Sequence, residues 1–175
     1  MSETFEQMLT GGHPNSLGRT LEVVDTILAD PERLIDLYNC YFSDDEVVRL
    51  RTSSALKRVT QAHPDWVAPY LDRLIDMIAK IDQASTQGTL ATLFDLLKPY
   101  MTAEQKAGAT EIMQHNLANH NDWIVLNTTM QVLFDWAKMG DDELKSWIVP
   151  HLERLSSDGR KSVAKRATKL LAKCD

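Results

Sequence analysis

Glycine and proline are scarce in this sequence, with 7 Gly and 6 Pro among 175 residues. An all-β protein needs turn residues at short intervals, so this scarcity argues against the all-β classes. Long apolar runs are missing as well, and no stretch approaches the roughly 20 apolar residues that a membrane-spanning helix requires. The composition, 43% hydrophobic and 25% charged, is typical of one globular domain and excludes a disordered chain.

Cysteine is equally rare, and its placement bears on the cellular compartment. The two cysteines, Cys40 and Cys174, lie far apart in the chain, which favours a reducing compartment over a disulfide scaffold. Residues 1–6 are acidic and polar, the reverse of a signal or transit peptide. We therefore predict a cytoplasmic protein without a membrane segment.

Positive charge is in deficit, because 19 Lys+Arg stand against 25 Asp+Glu and give a net charge of −6. This balance disfavours nucleic acid as a partner. The deficit is uneven: residues 1–48 carry −8, residues 49–157 carry −2, and residues 158–175 carry +4. We expect a monomer, or a weak self-association in which the acidic end of one copy meets the basic end of another.

An internal repeat is the most informative feature that the sequence does contain. The segment Trp66–Leu74 returns as Trp147–Leu155 with five of nine positions identical. A second pattern places apolar residues at offsets 0, 4, 7, 8 and 11, which is one stripe of an α-helix. Its clear copies begin at Val48, Thr86, Val125 and Val163, spaced 38, 39 and 38 residues apart, and a weaker copy begins at Leu17. A period near 38 made of two helices is typical of an α-solenoid.

From this period we predict an all-α superhelix of about five antiparallel helix pairs in a single domain, 1–175. The helical starts and stops include Asp30 before Pro31, a capping box over 43–46, and Gly140. The predicted helices are 2–10 with 15–29, 31–42 with 44–62, 65–81 with 84–99, 102–118 with 122–138, and 141–156 with 159–174. Residues 1–30 form a degenerate N-terminal capping pair, and the repeats span 31–64, 65–101, 102–140 and 141–175.

The last repeat carries a resemblance to a known family. Trp147–Leu155, followed by Asp158 and Val163–Leu171, resembles a HEAT repeat, in which the first helix carries a proline and the turn an aspartate. The second helix of that family reads Val-Arg-x-x-Ala-x-x-Ala-Leu, which residues 48–56 match best. Residues 102–118 depart from the pattern, with neither the proline nor a clear stripe. The resemblance covers about 31–175 and implies an armadillo-type fold, whereas HEAT proteins serve as scaffolds, transport factors and occasionally enzymes.

Residue patterns that would predict catalysis, a metal or a cofactor are lacking. His115 and His120 are five positions apart, about 140° around a helix, and we assign them to a polar inter-helix turn. Cys40 and Cys174 fall within helices and are expected to be structural thiols. Residues 11–16 precede a helix and could hold an anion with Arg19, although we favour a helix end followed by an N-cap as the explanation of the same residues.

The predicted binding surface is the side of each second helix that lies opposite its packing stripe, because these helices line the concave side of a solenoid. We select eight candidates from it: Arg19, Leu50, Lys57, Asn127, Gln131, Phe134, Lys165 and Lys169. Small and polar residues with a few apolar anchors and lysines suit a peptide or helix ligand. In the alternative interpretation, Leu50 and Phe134 are core residues of a curved superhelix.

Two functions follow from these observations. The first is a non-catalytic protein-interaction scaffold or adaptor that binds an unidentified peptide or helix and needs no cofactor or metal. The alternative is a nucleic-acid-binding protein or a HEAT enzyme similar to DNA-alkylation-repair glycosylases. Its candidate residues are two tryptophans and three aspartates: Trp123, Trp136, Asp95, Asp122 and Asp135. The basic row Lys161, Lys165, Lys169 and Lys173 is either a solvated face or a contact for an acidic partner or nucleic acid.

Overall fold

The computed structural model describes residues 2–174, and these residues contain helices and no strand. This confirms the all-α prediction. The α-helices are α1 Phe5–Leu9, α2 Thr20–Ala29, α3 Leu34–Asn39, α4 Glu46–Ala62, α5 Pro64–Val67, α6 Leu71–Asp76, α7 Ala84–Leu97, α8 Ala103–Asn119, α9 Trp123–Lys138, α10 Asp142–Ser156 and α11 Lys161–Leu171. Short 3₁₀ segments extend or join them at Pro31–Arg33, Cys40–Phe42, Ala68–Tyr70, Ile78–Lys80 and Lys98–Tyr100.

The predicted boundaries hold closest for the long helices. Two predicted helices, 31–42 and 65–81, are instead successions of α and 3₁₀ turns. Pro69 stands inside the second of these, where its missing N–H and its ring disfavour a continuous α-helix. The helix predicted to begin at residue 15 begins at Thr20, because Gly18 has a positive φ of 53° that an α-helix does not accommodate.

The second helix of each predicted pair packs against the second helix of the next pair along the chain. Helix α2 contacts α4, α4 contacts α7, α7 contacts α9, and α9 contacts α11. Helices α8 and α10 also pack against α9. We call α2, α4, α7, α9 and α11 the second helices, because each closes one of the predicted pairs.

The packing stripes of these helices form most of their buried surface. Every predicted stripe position of α4, α7 and α9 is buried. In α11, Val163, Ala167 and Leu170 are buried, whereas Leu171 and Cys174 are partly exposed. The buried stripes are Val48, Thr52, Ala55, Leu56 and Val59; Thr86, Leu90, Leu93, Phe94 and Leu97; and Val125, Thr129, Val132, Leu133 and Trp136.

The register predicted for α2 is wrong by one residue. Leu17, Leu21 and Leu28 are exposed, at 41%, 51% and 38%. The face that packs is made instead of Thr20, Val23, Val24 and Ile27. Helix α2 is apolar on both faces and, within the described chain, has a second-helix neighbour only on its α4 side. The hydrophobic period alone does not say which of two apolar faces packs.

Caps and turns fix where the helices begin. The Asp30 side chain accepts a hydrogen bond from the Glu32 amide ahead of the Pro31 turn, as predicted. The cap of α4 is Asp45, whose Oδ1 lies 2.9 Å from the Val47 amide, and not the predicted Ser43. Ser43 acts one step earlier by accepting from the Asp45 amide.

The aspartate in the last turn links that turn to the preceding helix pair. Asp158 accepts hydrogen bonds from the backbone and the guanidinium of Arg160 at 2.8–2.9 Å. Arg160 in turn donates to the carbonyl of Asn121. The Arg160 guanidinium holds the pKa of Asp158 at about 2, below its ordinary value.

Arg51 is a buried cation that the sequence did not predict. Its side chain is 1% exposed and donates to four backbone carbonyls, those of Leu9, Gly11, His13 and Ser16, at 2.5–3.1 Å. These bonds hold the segment between α1 and α2 against α4. Because carbonyl oxygens of this segment face a cation, residues 11–16 are not arranged as the anion site considered above.

Candidate functional site

A depression of about 260 Å³ lies where α4, α7 and α9 meet. We call it the central depression. Its lining is small or polar apart from two apolar side chains, Leu50 and Ile124, and it contains one cation, Lys57. The full lining is Leu50, Ser54, Lys57, Ser85, Gly88, Thr89, Thr92, Ile124 and Thr128. A Cβ at Gly88 would make an ordinary van der Waals contact with Ile124, at 3.7 Å.

A second depression of about 320 Å³ lies between α9 and α11. We call it the C-terminal depression. Its lining is Gln131, Ser162, Lys165, Arg166 and Lys169. The period of α11 explains this lining, because its packing stripe points Val163, Ala167 and Leu170 at the core and leaves the lysines on the open side.

Helix α9 connects the two depressions. It contributes Ile124 and Thr128 to the central one and Gln131 to the C-terminal one. Residues spaced at i, i+4 and i+7 lie on one side of an α-helix, so both depressions open on the same side of α9. A third depression of about 260 Å³ adjoins the central depression, with which it shares Leu50 and Ser85. We call the three together the second-helix face.

The charge on this face contrasts with that of the whole chain. Four cations line the central and C-terminal depressions, namely Lys57, Lys165, Arg166 and Lys169. Among the described residues, no Asp or Glu lines either one. Glu46 lines the third depression, at the opposite end of the face. The positive charge is therefore local to one part of a protein whose net charge is −6.

Five of the eight predicted binding residues lie on this face. Leu50 and Lys57 line the central depression, and Gln131, Lys165 and Lys169 line the C-terminal one. Lys165 and Lys169 are exposed.

Asn127 and Phe134 do not lie on the open surface where they were predicted, because they are only 8% and 4% exposed. Helix α9 is contacted by four helices, so its buried arc is wider than one stripe. For Phe134 the alternative interpretation as a core residue is therefore the one that the structure supports. The eight candidates did not include Arg166 and Ser162, because only the positions farthest from the stripe were selected.

Arg19 lies apart from the two depressions and is occupied by acidic partners. Its guanidinium makes 2.8 Å contacts with Glu22 and with Glu3. The hydrogen bond that Arg19 donates to Glu22, followed by the one it donates to Glu3, raises the pKa of Arg19 above its ordinary value. Its selection followed from the register error in α2, and it is the residue directly before that helix.

Ser162, one lining residue of the C-terminal depression, is hydrogen-bonded to the buried Asn127 behind it. Asn127 donates from Nδ2 to Ser162 Oγ at 3.3 Å, which joins α9 to α11. The Asn127 Oδ1 atom is buried and has no hydrogen-bond partner among residues 2–174. Beside this pair, Arg166 donates to Gln131 Oε1 at 3.0 Å, and Gln131 donates to Asp135 at 3.1 Å. Arg166 is thereby held at the edge of the depression.

The residues considered for catalysis have structural partners. Burial, the largest cause, raises the pKa of the Cys40 thiol to about 11, and its Sγ donates to the Asp36 carbonyl at 3.3 Å. The Cys174 Sγ donates to the Leu170 carbonyl at 3.4 Å. Because its pKa is so high, the Cys40 thiol is protonated at neutral pH and is a poor nucleophile. Over residues 2–174, no group of three or more His, Cys, Asp or Glu side chains could hold a metal ion.

The tryptophans proposed for the enzyme alternative serve different purposes. Trp136 is 2% exposed, so it belongs to the core, and it donates from Nε1 to the exposed Asp95 at 3.0 Å. Trp123 is 51% exposed, but the neighbouring Asp122 caps α9 by accepting from two backbone amides. The repeat-matched Trp66 and Trp147 are partly buried, each against a histidine ring.

No protein-family model and no curated protein matches this sequence. The resemblance to HEAT repeats therefore depends on the residues and on the order of helix contacts alone. Within the described part of the chain, none of the helices combines the length and the apolar character needed to span a bilayer.

Proposed function

We propose that this chain is a HEAT-like α-solenoid that acts as a non-catalytic scaffold or adaptor and binds an acidic peptide or helix of a partner protein. The proposed binding site is the second-helix face. The observation that carries the proposal is the charge of that face: four cations and no carboxylate, among the described residues, line two adjoining depressions of an acidic protein.

The solenoid part of the proposal is supported by sequence period and packing order together. The stripes of α4, α7, α9 and α11 begin 38, 39 and 38 residues apart. These same helices pack against one another in chain order. A repeated pair that stacks only on its neighbours gives such a contact pattern, and it presents equivalent positions of successive helices side by side.

The nature of the lining favours an amphipathic segment as the ligand. Leu50 and Ile124 offer apolar contacts in the central depression, and Ile124 is 50% exposed. Lys165, Arg166 and Lys169 line the C-terminal depression, between α9 and α11. An occupant with apolar residues toward α4 and acidic residues toward α11 would match both ends, in the manner of a helix docked in a groove.

The direct test uses a short synthetic helical peptide with leucine on one face and glutamate on the next, labelled with a fluorophore for anisotropy. We expect saturable binding that weakens as salt is raised, because screening reduces attraction between exposed charges. The same peptide with lysine in place of glutamate should not bind. Equal binding of the acidic and basic peptides would contradict the proposal.

A charge-reversal pair locates the site. The Lys165→Glu/Lys169→Glu variant should lose about tenfold in affinity for the acidic peptide and become less sensitive to salt. The matched control is Lys80→Glu/Lys145→Glu, which makes the same charge change at two exposed lysines outside the depressions. If the control weakens binding as much as the test variant, the attraction is a property of the net charge and the second-helix face is not the site.

A further inference from the structure

The C-terminal depression gathers hydrogen-bond donors and positive charge around one small volume. Lys165, Arg166 and Lys169 surround about 320 Å³ of space together with the Ser162 hydroxyl. Ser162 belongs to the first turn of α11, which begins at Lys161. No side chain in the described part of the chain caps that turn. The positive end of a helix and its uncapped amides therefore add to the charge of the three side chains.

The polar pair beneath the depression supplies an independent observation. Ser162 Oγ accepts a hydrogen bond from Asn127 Nδ2, so the hydroxyl hydrogen of Ser162 is left to donate elsewhere. Asn127 is buried, and its Oδ1 atom lacks a partner within residues 2–174. Asn127 lies behind the lining, and what it contributes is the orientation of Ser162, which does line the depression and keeps its hydroxyl hydrogen for a ligand.

Arg166 is an exposed side chain with one hydrogen-bond partner on the neighbouring helix. Its Nη1 donates to Gln131 Oε1 at 3.0 Å, and Gln131 is itself held by Asp135 at 3.1 Å. An arginine fixed on one side keeps its remaining N–H groups in a defined direction, which suits recognition of a multidentate oxyanion. A carboxylate offers two oxygens and one charge, whereas a phosphate monoester offers three terminal oxygens and nearly two charges.

We propose that the C-terminal depression binds a phosphate monoester carried by a phosphorylated side chain of the partner segment. This inference depends on the proposed function, because it assigns one part of the second-helix face to one group of that ligand. A single phosphate fits better than a nucleic-acid backbone. A continuous polyanion that followed the face would meet Asp135 beside Gln131 and Glu46 in the third depression.

Three versions of the acidic peptide test the inference, with serine, glutamate or phosphoserine at one position. We expect the phosphoserine peptide to bind about tenfold more tightly than the serine peptide, with the glutamate peptide between them. The advantage should shrink when the pH is lowered from about 7.5 to about 5, because the second ionisation of a phosphate monoester has a pKa near 6.

Variants assign the advantage to named atoms. Ser162→Ala and Arg166→Gln should each reduce the preference for phosphoserine over glutamate several-fold, with the fold checked by circular dichroism. Lys145→Gln is the control, because it removes one exposed positive charge outside the depression and should leave the preference intact. Nuclear magnetic resonance titration with the phosphoserine peptide should shift the Ser162 amide, next to the uncapped first turn.

The outcomes separate this inference from the proposed function. If the phosphoserine and glutamate peptides bind equally, the phosphate site is wrong and the acidic-peptide site stands. If no acidic peptide binds, phosphorylated or not, both are wrong. If a single-stranded oligonucleotide binds more tightly than the phosphoserine peptide, the ligand is nucleic acid and the assignment to a phosphorylated protein segment is overturned.

Discussion

Replacing Arg51 with methionine should destabilise the protein by about 3 kcal/mol, although Arg51 does not itself line the second-helix face. Methionine has a similar length and fills much of the same volume, so the change isolates the polar interactions of the guanidinium. Those interactions are the four hydrogen bonds to Leu9, Gly11, His13 and Ser16.

The size of this loss in stability depends on whether each carbonyl finds another hydrogen-bond partner after the substitution. The Leu9 residue is fully buried, so its carbonyl would be left without a partner at a cost of about 1–3 kcal/mol. The residues Gly11, His13 and Ser16 are exposed, and water can replace the guanidinium there at roughly 0.5 kcal/mol each. Removing a buried cation recovers part of its desolvation penalty, which keeps the net loss below the sum of four charged hydrogen bonds.

Urea unfolding measures this loss, and limited proteolysis locates it. We expect faster tryptic cleavage after Arg19, because the segment between α1 and α2 loses its attachment to α4. The control is Arg58→Met on the same helix, whose guanidinium donates hydrogen bonds, within residues 2–174, only to Ser54, one turn away. An Arg51→Met variant with unchanged urea stability and unchanged cleavage would refute the reasoning, since it would show that the four bonds contribute nothing net.

Three further predictions concern the core and the backbone. Leu170→Ala should lower the free energy of unfolding by roughly 2–5 kcal/mol in urea titrations, or less if the terminal layer collapses into the space. Gly18→Ala should be more destabilising than Gly140→Ala in the same assay: both have positive φ, but only at Gly18 would a Cβ clash with Arg51, at 2.9 Å from Cζ. Burial raises the pKa of the Cys40 thiol to about 11 in the folded protein, above its unfolded value near 8.5. The protonated thiol therefore contributes fully to the free energy of unfolding below about pH 8.5, and this contribution is lost as the pH rises toward 11. Cys40→Ala should reduce that alkaline loss of stability by up to about 2 kcal/mol in urea titrations at a series of pH values.

The second helices could be predicted from the sequence because their hydrophobic period is strong and recurs at a fixed spacing. Each of α4, α7 and α9 has one wide apolar stripe, and packing against the next helix buries all of it. The first helix of each pair carries less information. The helices predicted at 31–42 and 65–81 are divided into short α and 3₁₀ segments, whereas α10 is continuous through Pro150, the repeat equivalent of Pro69, so the sequence does not show which first helices are interrupted.

Arg51 shows why a buried charge escapes prediction. On a helix otherwise rich in polar residues, an arginine is expected to face solvent. Its partners lie 35 to 42 positions earlier in the chain, and they are backbone carbonyls that no side-chain pattern marks. The same limit applied to Asn127 and Phe134, because the sequence does not show that α9 has neighbours on several sides.

The two apolar faces of α2 allow a decisive check on how this helix packs. Ile27 is 0% exposed and Leu21 is 51% exposed, although the sequence period alone favoured Leu21 as the core residue. If the structural register is right, Ile27→Ala should destabilise the protein by about 2–5 kcal/mol, because it leaves a cavity against α4. Leu21→Ala should change the free energy of unfolding by no more than about 0.5 kcal/mol, because a half-exposed side chain leaves no cavity when it is removed. The reverse ranking in urea unfolding would restore the register expected from the sequence and would also move Arg19 from the edge of α2 back toward the second-helix face.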